Sequence, residues 1–184
     1  MLLLLCAAKP ALAERADSKK PLDVKAEQMA YDDAKQVSTF TGNVVMARGT
    51  LLLKAGSVKL TQDAAGYQFA SLAAGGNSPA SFRQKRDGGD FWVEGRADRI
   101  EYDGKTELVK FYSRARLTRL EGHLIKDEIT GEVITYDSRN EVFSVETNHS
   151  NANNGDKGEK SDSASAQKGK RVTTVIQPRV QDKQ

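Results

Sequence analysis

The sequence of 184 residues holds one cysteine, four prolines, two histidines and one tryptophan. A lone cysteine, Cys6, excludes an internal disulfide framework and a thiolate metal cluster. The two histidines, His123 and His149, do not build a zinc or catalytic centre, which needs three or four converging ligands. His123 with Asp127 and Glu128 only imitates one, and the paired acids Asp32-Asp33 and Asp127-Glu128 belong to turns more than to acid–base catalysis. No glycine-rich phosphate loop or nucleophile motif is present. These gaps read as a protein that is not an enzyme and carries no metal or cofactor. A formal net charge of +3, from 28 basic and 25 acidic side chains, is too small to imply nucleic acid. No apolar run approaches the roughly 20 residues that cross a bilayer, and helical periodicity is absent.

What is present begins with MLLLLCAAKPALA, residues 1–13, a leucine run followed by the small-x-small pattern Ala11-Leu12-Ala13. This is the remnant of a secretory signal, and the basic segment that should lead it places the true start upstream. Lipidation of Cys6 is disfavoured because Leu5 stands where such sites want a small residue. Cleavage after Ala13 removes the only cysteine, and an exported chain without disulfides suits the bacterial periplasm.

From Leu22 to Val145 short β-branched and aromatic runs alternate with Gly, Asn and Asp at the spacing of a sandwich, roll or barrel. Strand side chains point alternately to the two faces. Between Glu107 and Arg119 this puts Val109, Phe111, Ser113, Ala115 and Leu117 on one face, and Lys110, Tyr112, Arg114, Arg116 and Thr118 on the other. The same reading groups Phe40, Val44 and Met46, and pairs Ile100 with Tyr102 and Ile134 with Tyr136.

The strongest internal signal is a repeat. Ala26-Glu27-Gln28-Met29-Ala30-Tyr31-Asp32 returns as Ala97-Asp98-Arg99-Ile100-Glu101-Tyr102-Asp103, and Phe40 returns as Phe111, at a constant shift of 71 residues. A partial third copy is Gly131-Glu132-Val133-Ile134-Thr135-Tyr136-Asp137, leading to Phe143. Units of this kind cannot bury an apolar face alone and stack into a continuous core. The domain is therefore placed at 14–147. Residues 148–168, rich in Asn, Gly, Ser, Asp and Lys, read as a disordered polar linker. A β-branched edge strand follows at 169–178, halted by Pro178, and residues 179–184 form a tail.

Phe40-Thr41-Gly42-Asn43-Val44, Ala55-Gly56-Ser57-Val58, Gly131-Glu132-Val133-Ile134-Thr135-Tyr136 and Lys168-Gly169-Lys170-Arg171-Val172-Thr173-Thr174-Val175 together resemble the OstA-like family of lipopolysaccharide-transport proteins. The resemblance covers about Pro21 to Val145 and the closing strand, and the polar insertion before that strand departs from it. It implies an all-β fold, a twisted jelly roll of two facing antiparallel sheets open at the ends. It also implies a periplasmic carrier of lipopolysaccharide that binds the lipid A acyl chains. As partners it implies an inner-membrane LptC-like domain, an outer-membrane LptD-like OstA domain, and further copies of the chain joined head to tail through terminal strands.

Each acyl CH₂ in water costs about 0.8 kcal/mol, so a carrier must offer a continuous apolar lining. The candidates are Leu22, Val24, Phe40, Val44, Leu53, Val58, Phe82, Ile100, Tyr102, Phe111, Leu117 and Ile134. The resemblance singles out Leu22, Val24, Phe82 and Tyr102 as lipid contacts, while ordinary sandwich core explains each of the twelve without a ligand. Val172, Thr174 and Val175 are the candidate oligomer edge. Arg83, Lys85, Arg86, Arg114, Arg116 and Arg119 are candidates for the lipid phosphates, or a solvated surface that discourages aggregation. Two other readings stand beside the carrier: an envelope scaffold with no ligand, and a polysaccharide-binding domain, for which Trp92 beside Phe91 is the one aromatic cue.

Overall fold

The computed structural model describes residues 20–146 and the backbone of a strand at 173–176. The expected signal remnant, polar linker and tail, together with Val172 and His149, lie outside the described residues.

Twelve antiparallel strands follow one another: β1 Asp23–Lys25, β2 Gln28–Asp32, β3 Val37–Arg48, β4 Leu51–Gln62, β5 Gln68–Ala73, β6 Ala80–Lys85, β7 Phe91–Ala97, β8 Arg99–Asp103, β9 Leu108–Glu121, β10 Leu124–Asp137, β11 Val142–Glu146 and β12 Thr173–Ile176. No described residue is helical, as expected from the β-branched runs.

The 71-residue repeat fixes where the chain turns and where it bends. The aspartate that ends each copy closes a hairpin. Asp32 accepts a backbone N–H from Lys35 at 3.1 Å; Asp103 accepts those of Lys105 and Thr106 at 2.8 and 3.0 Å; Asp137 accepts those of Arg139 and Asn140 at 3.0 and 2.9 Å. Each turn then ends on a left-handed residue, Gln36, Glu107 or Glu141, with φ of 53°, 60° and 57°. The other hairpins of the repeat, β3–β4 and β9–β10, close on the two-residue turns Gly49-Thr50 and Gly122-His123. Both glycines sit at φ 58°. A positive φ at the first turn position matches the right-handed twist of the flanking strands and is unstrained only for glycine. His123 is thus a turn residue.

The bends lie at Gly42-Asn43 (φ 81° and 44°) and, 71 residues on, at Ser113-Arg114 (φ 61° and 52°). The ladder register slips at both, between Thr41 and Val44 and opposite Gly131–Val133. The acids of the repeat hold them. Glu27 donates its N–H to the Gly42 carbonyl at 3.1 Å and accepts from Asn43 Nδ2 at 2.6 Å. Asp98 likewise donates its N–H to the Ser113 carbonyl at 3.1 Å and receives the Arg114 guanidinium, with Nε at 3.0 Å.

Bending lets β3, β4, β9 and β10 serve two sheets. In one sheet their segments lie with β2, β5, β8 and β11; in the other they lie with β1, β6, β7 and β12. Neither sheet closes on itself, since β1 and β2 flank β3 at one end while β11 and β12 flank β10 at the other. The chain is the all-β jelly roll with open ends that the family resemblance implied, one of the three architectures its strand spacing allowed.

The bend also corrects one assignment. Val109, Phe111, Ala115 and Leu117 are buried as expected, but Ser113 is exposed, because strict alternation fails across a bulge.

Hydrogen bonding at the turns makes stability depend on pH. The Asp103 carboxyl is subject to burial, which raises its pKa, but the hydrogen bonds from Thr106 and Lys105 outweigh this and hold it below the ordinary 3.8. A folded-state pKa below the unfolded one stabilises the native state above about pH 3.8, and that contribution disappears as pH falls through the lower value. Asp103→Ala is expected to lower stability by about 1 kcal/mol at pH 7. Urea titrations at pH 7 and pH 3 should show the gap between variant and parent narrowing in acid; an unchanged gap would refute the capping role.

Candidate functional site: an apolar interior between two sheets

Side chains from both sheets meet in one apolar cluster. Leu72, Val93, Ile100, Val109, Phe111, Leu117 and Ile134 are fully buried, and Phe82, Met46, Leu53, Val44, Val58 and Ile129 are nearly so. Phe82 on β6 meets Phe111 on β9 edge to face at 5.8 Å between centroids, and meets Tyr136 on β10 at 6.1 Å. Edge-to-face packing places the positive ring rim on a neighbour's negative face.

All twelve lining candidates fall in this cluster or against it. Phe40, Val44, Leu53, Val58, Phe82, Ile100, Phe111, Leu117 and Ile134 are buried, whereas Leu22, Val24 and Tyr102 are half-buried and packed on the rest. The sequence reading passed over Leu72, Val93, Ile129 and Tyr136 as lining. Ile129 and Tyr136 lie on opposite sides of the register slip in β10, so no single alternating pattern joins them. The buried members pack on one another. At the two ends the cluster thins to half-buried apolar side chains, Leu22 and Val24 at β1 and Phe143 and Val145 at β11.

The long side opposite the bends is closed by polar groups. Arg48, at the end of β3, is 9% exposed and donates to Gln68 on β5, beside the Tyr102 hydroxyl. Arg86, just past β6, pairs with Glu141 in the β10–β11 turn, near Tyr136. Arg119, on β9, pairs with the buried Asp127 and lies 5.3 Å over the ring of Phe143 on β11. Burial drives the Tyr136 hydroxyl up to about 12 and raises that of Tyr102, so both stay neutral donors at neutral pH.

The basic candidates therefore divide. Arg114, Arg116 and Arg83 face outward in ion pairs with Asp98, Glu128 and Glu94. Arg83 also stacks at 4.3 Å on Trp92, whose indole N–H donates to Asp90 at 2.8 Å. Trp92 thus has its outer face covered by Arg83. Arg86 and Arg119 turn inward, and Arg48, their counterpart on β3, was missed. The repeat held its signal, because Arg48 and Arg119 are 71 residues apart and lead into the two glycine turns.

Of the candidate edge, Thr174 and Val175 stand opposite Ile129 and Glu128 of β10. The terminal strands carry exposed apolar groups, Met29 and Tyr31 on β2 and Val142 on β11.

Residues 23–142 match the family model described as LptA/(LptD N-terminal domain) LPS transport protein. The chain belongs to this family. It is 32% identical over 181 residues to the lipopolysaccharide export system protein LptA of Escherichia coli K12, an alignment covering 98% of this chain and 84% of that one. It is 29% identical over 145 residues to LptA of Haemophilus influenzae, covering 79% and 81%. The crystal structure of LptH, the LptA-homologous periplasmic component of the lipopolysaccharide transport device of Pseudomonas aeruginosa, superposes with a TM-score of 0.69 at 23% identity. That match covers 88% of this chain and 99% of the other and shows a shared fold.

Within this apolar interior the space for Phe111 depends on one position. Its ring lies over Gly95 of β7, where any Cβ would drive into the ring edge. Gly95→Ala is expected to cost about 1–3 kcal/mol through overpacking. A thermal melt follows it, and an unchanged midpoint would show that the ring has room to move aside.

Proposed function

We propose that this chain carries lipopolysaccharide through the periplasm by taking the acyl chains of lipid A between its two sheets, as one module of a protein bridge. The observation that carries this reading is an apolar cluster running the whole length of a family member whose sheets stay unclosed at both ends. Hydrocarbon that replaces side-chain contacts within such a cluster never meets water, which saves about 0.8 kcal/mol for each CH₂. Leu22 and Val24 at one end, with Tyr102 at the long side, are the half-buried members through which a chain gains admission. The buried candidates, from Phe40 to Ile134, then part around it.

Neighbouring modules join by strand addition. Copies of this chain meet head to tail, and the end modules meet an LptC-like domain at the inner membrane and an LptD-like domain at the outer one. Edge strands beside β3 and β10 offer unpaired N–H and C=O groups, and main-chain hydrogen bonds between such edges extend both sheets and the interior together. The job is non-enzymatic. An envelope scaffold with the same fold and no ligand is the reading that the first test below separates from carriage.

A photo-crosslinking residue at Phe82 or Tyr102 is expected to capture lipopolysaccharide in cells, while the same residue at the outward-facing Lys59 captures none. Equal labelling at all three, or none at any, would dismiss an internal route.

Val175→Pro removes a ladder donor and is expected to reduce end-to-end assembly. Light scattering over a concentration series reads this out; assemblies as large as those of the parent would remove β12 from the joint.

A further inference from the structure

Three arginines along the long side share a feature that the fold alone does not explain. Arg48, Arg86 and Arg119 each spend terminal nitrogens on a sheet-bridging or rim contact, yet the Nε of each is buried with no hydrogen-bond partner. A buried donor left without a partner costs about 1–3 kcal/mol, so each of these three groups, like the Gln84 Oε1 acceptor beside Arg86, is suited to a polar partner from outside the chain. Tyrosine or phenylalanine at the same three places would close an apolar interior without that cost. The set is also ordered. In the sheet sequence β3-β4-β6-β7-β9, successive arginines stand two strands apart, or roughly 10 Å at the usual strand spacing.

Nε and the adjacent terminal nitrogen form the side-on fork that grips two oxygens of one anion. Here one arm of each fork is held by a partner that a stronger oxyanion can replace: Gln68 for Arg48, Glu141 for Arg86 and Asp127 for Arg119. Around Arg86 lies a depression of about 410 Å³ whose lining includes Lys85 and Arg139 together with Glu107 and Glu141. Glu141 engages Arg86 there and Glu107 engages Arg139, so an anion coming to Arg86 has to exchange with Glu141.

We propose that Arg48, Arg86 and Arg119 are the phosphate-receiving groups of the carrier, and that they take up this role by giving up the contacts that close the long side. The proposal rests on the carrier reading and names the part of the ligand that the rim selects, the phosphomonoesters of a glycolipid headgroup whose acyl chains enter between the sheets. Exchange of partners couples the two events: releasing Gln68 and Glu141 unfastens one sheet from the other as the headgroup phosphate is bound. A disaccharide with a phosphate at each end reaches two neighbouring arginines of the row.

The test compares a fluorescent bisphosphorylated lipid A with the same lipid stripped of both phosphates, binding to the full chain. The parent is expected to hold the phosphorylated form about tenfold more tightly, as charge-assisted bidentate contacts imply, with the preference falling as salt rises. Replacing Arg48, Arg86 and Arg119 by Gln should abolish the preference and, because the contacts that resist parting of the sheets go with them, leave the stripped lipid bound at least as tightly as by the parent. Arg116→Gln, on the outer face, should leave the preference intact. Single substitutions Arg48→Gln and Arg119→Gln, each expected to reduce it, serve where the triple variant does not fold. A triple variant or a full set of single variants that keeps the preference overturns the proposal. Inorganic phosphate that displaces the phosphorylated lipid as effectively as unlabelled lipid A would assign the arginines to a free anion instead, and also overturn it. A parent that binds neither lipid brings down the carrier reading itself, a result distinct from binding without preference.

Discussion

A strand that passes from one sheet into another must break its ladder at the crossing, because the hydrogen bonds on either side point in different directions. In this chain four strands do so, and the arrangement of everything else depends on how those crossings are held. Gly42-Asn43 and Ser113-Arg114 absorb the change in left-handed backbone, and Glu27 and Asp98 each fasten one of them through both a main-chain N–H and a side-chain carboxylate. Once the crossings are fixed, the two sheets must face each other, and Phe40, Phe82 and Phe111 are brought into one interior. A fused pair of separate sheets would need extra connections along the long side. Bent strands leave that side to side-chain contacts alone.

Much of this was legible in the sequence because the repeat carries structure in its letters. The acid of Ala26-Glu27 and Ala97-Asp98 holds a bend, the aspartate of Tyr31-Asp32, Tyr102-Asp103 and Tyr136-Asp137 closes a turn, and the tyrosine or isoleucine between them alternates inward or outward with its strand. Composition gave the strands and the absence of helix among the described residues. Two things were out of reach. Ser113 was assigned inward because alternation assumes an unbroken ladder, and β10 changes parity at its own slip, so Ile129 and Ile134 cannot be grouped by counting in twos. Arg48 was passed over because an arginine in a strand reads as solvated, and only the facing sheet shows that Gln68 and Tyr102 enclose it. The twelve lining candidates converge on one cluster, as core packing by itself also demands.

Open edges are ordinarily a liability, since a row of unpaired backbone groups templates aggregation. The edges of this chain show two treatments. β2 and β11 carry exposed Met29, Tyr31 and Val142, side chains that invite a partner, beside charged neighbours such as Asp32 and Glu146 that restrict which partner fits. The outer faces are instead laced with ion pairs, Arg83 with Glu94, Arg114 with Asp98 and Arg116 with Glu128. Exposed pairs of this kind add little stability, about 0–1 kcal/mol each, but they keep the faces polar. The proposed strand addition would thereby be directed to the ends, the direction in which the interior of one module can continue into the next.

A filled interior and a carrier's task are reconciled by what holds the filling in place. Apolar side chains pack without direction, so hydrocarbon substitutes for their mutual contacts at little net cost, provided total volume and burial are kept. Resistance to parting the sheets then comes mainly from directional contacts across the long side, those of Arg48 with Gln68 and Arg86 with Glu141. Their neighbours Tyr102 and Tyr136 are neutral, as any phenol is near pH 7, and burial moves both hydroxyls further from ionisation; they add shape without adding charge for an anion to overcome. On the proposed reading the rim is thus the selective element and the interior the permissive one: acyl chains of differing length would share a lining that recognises none of them individually, while a headgroup able to take over the arginines would be favoured.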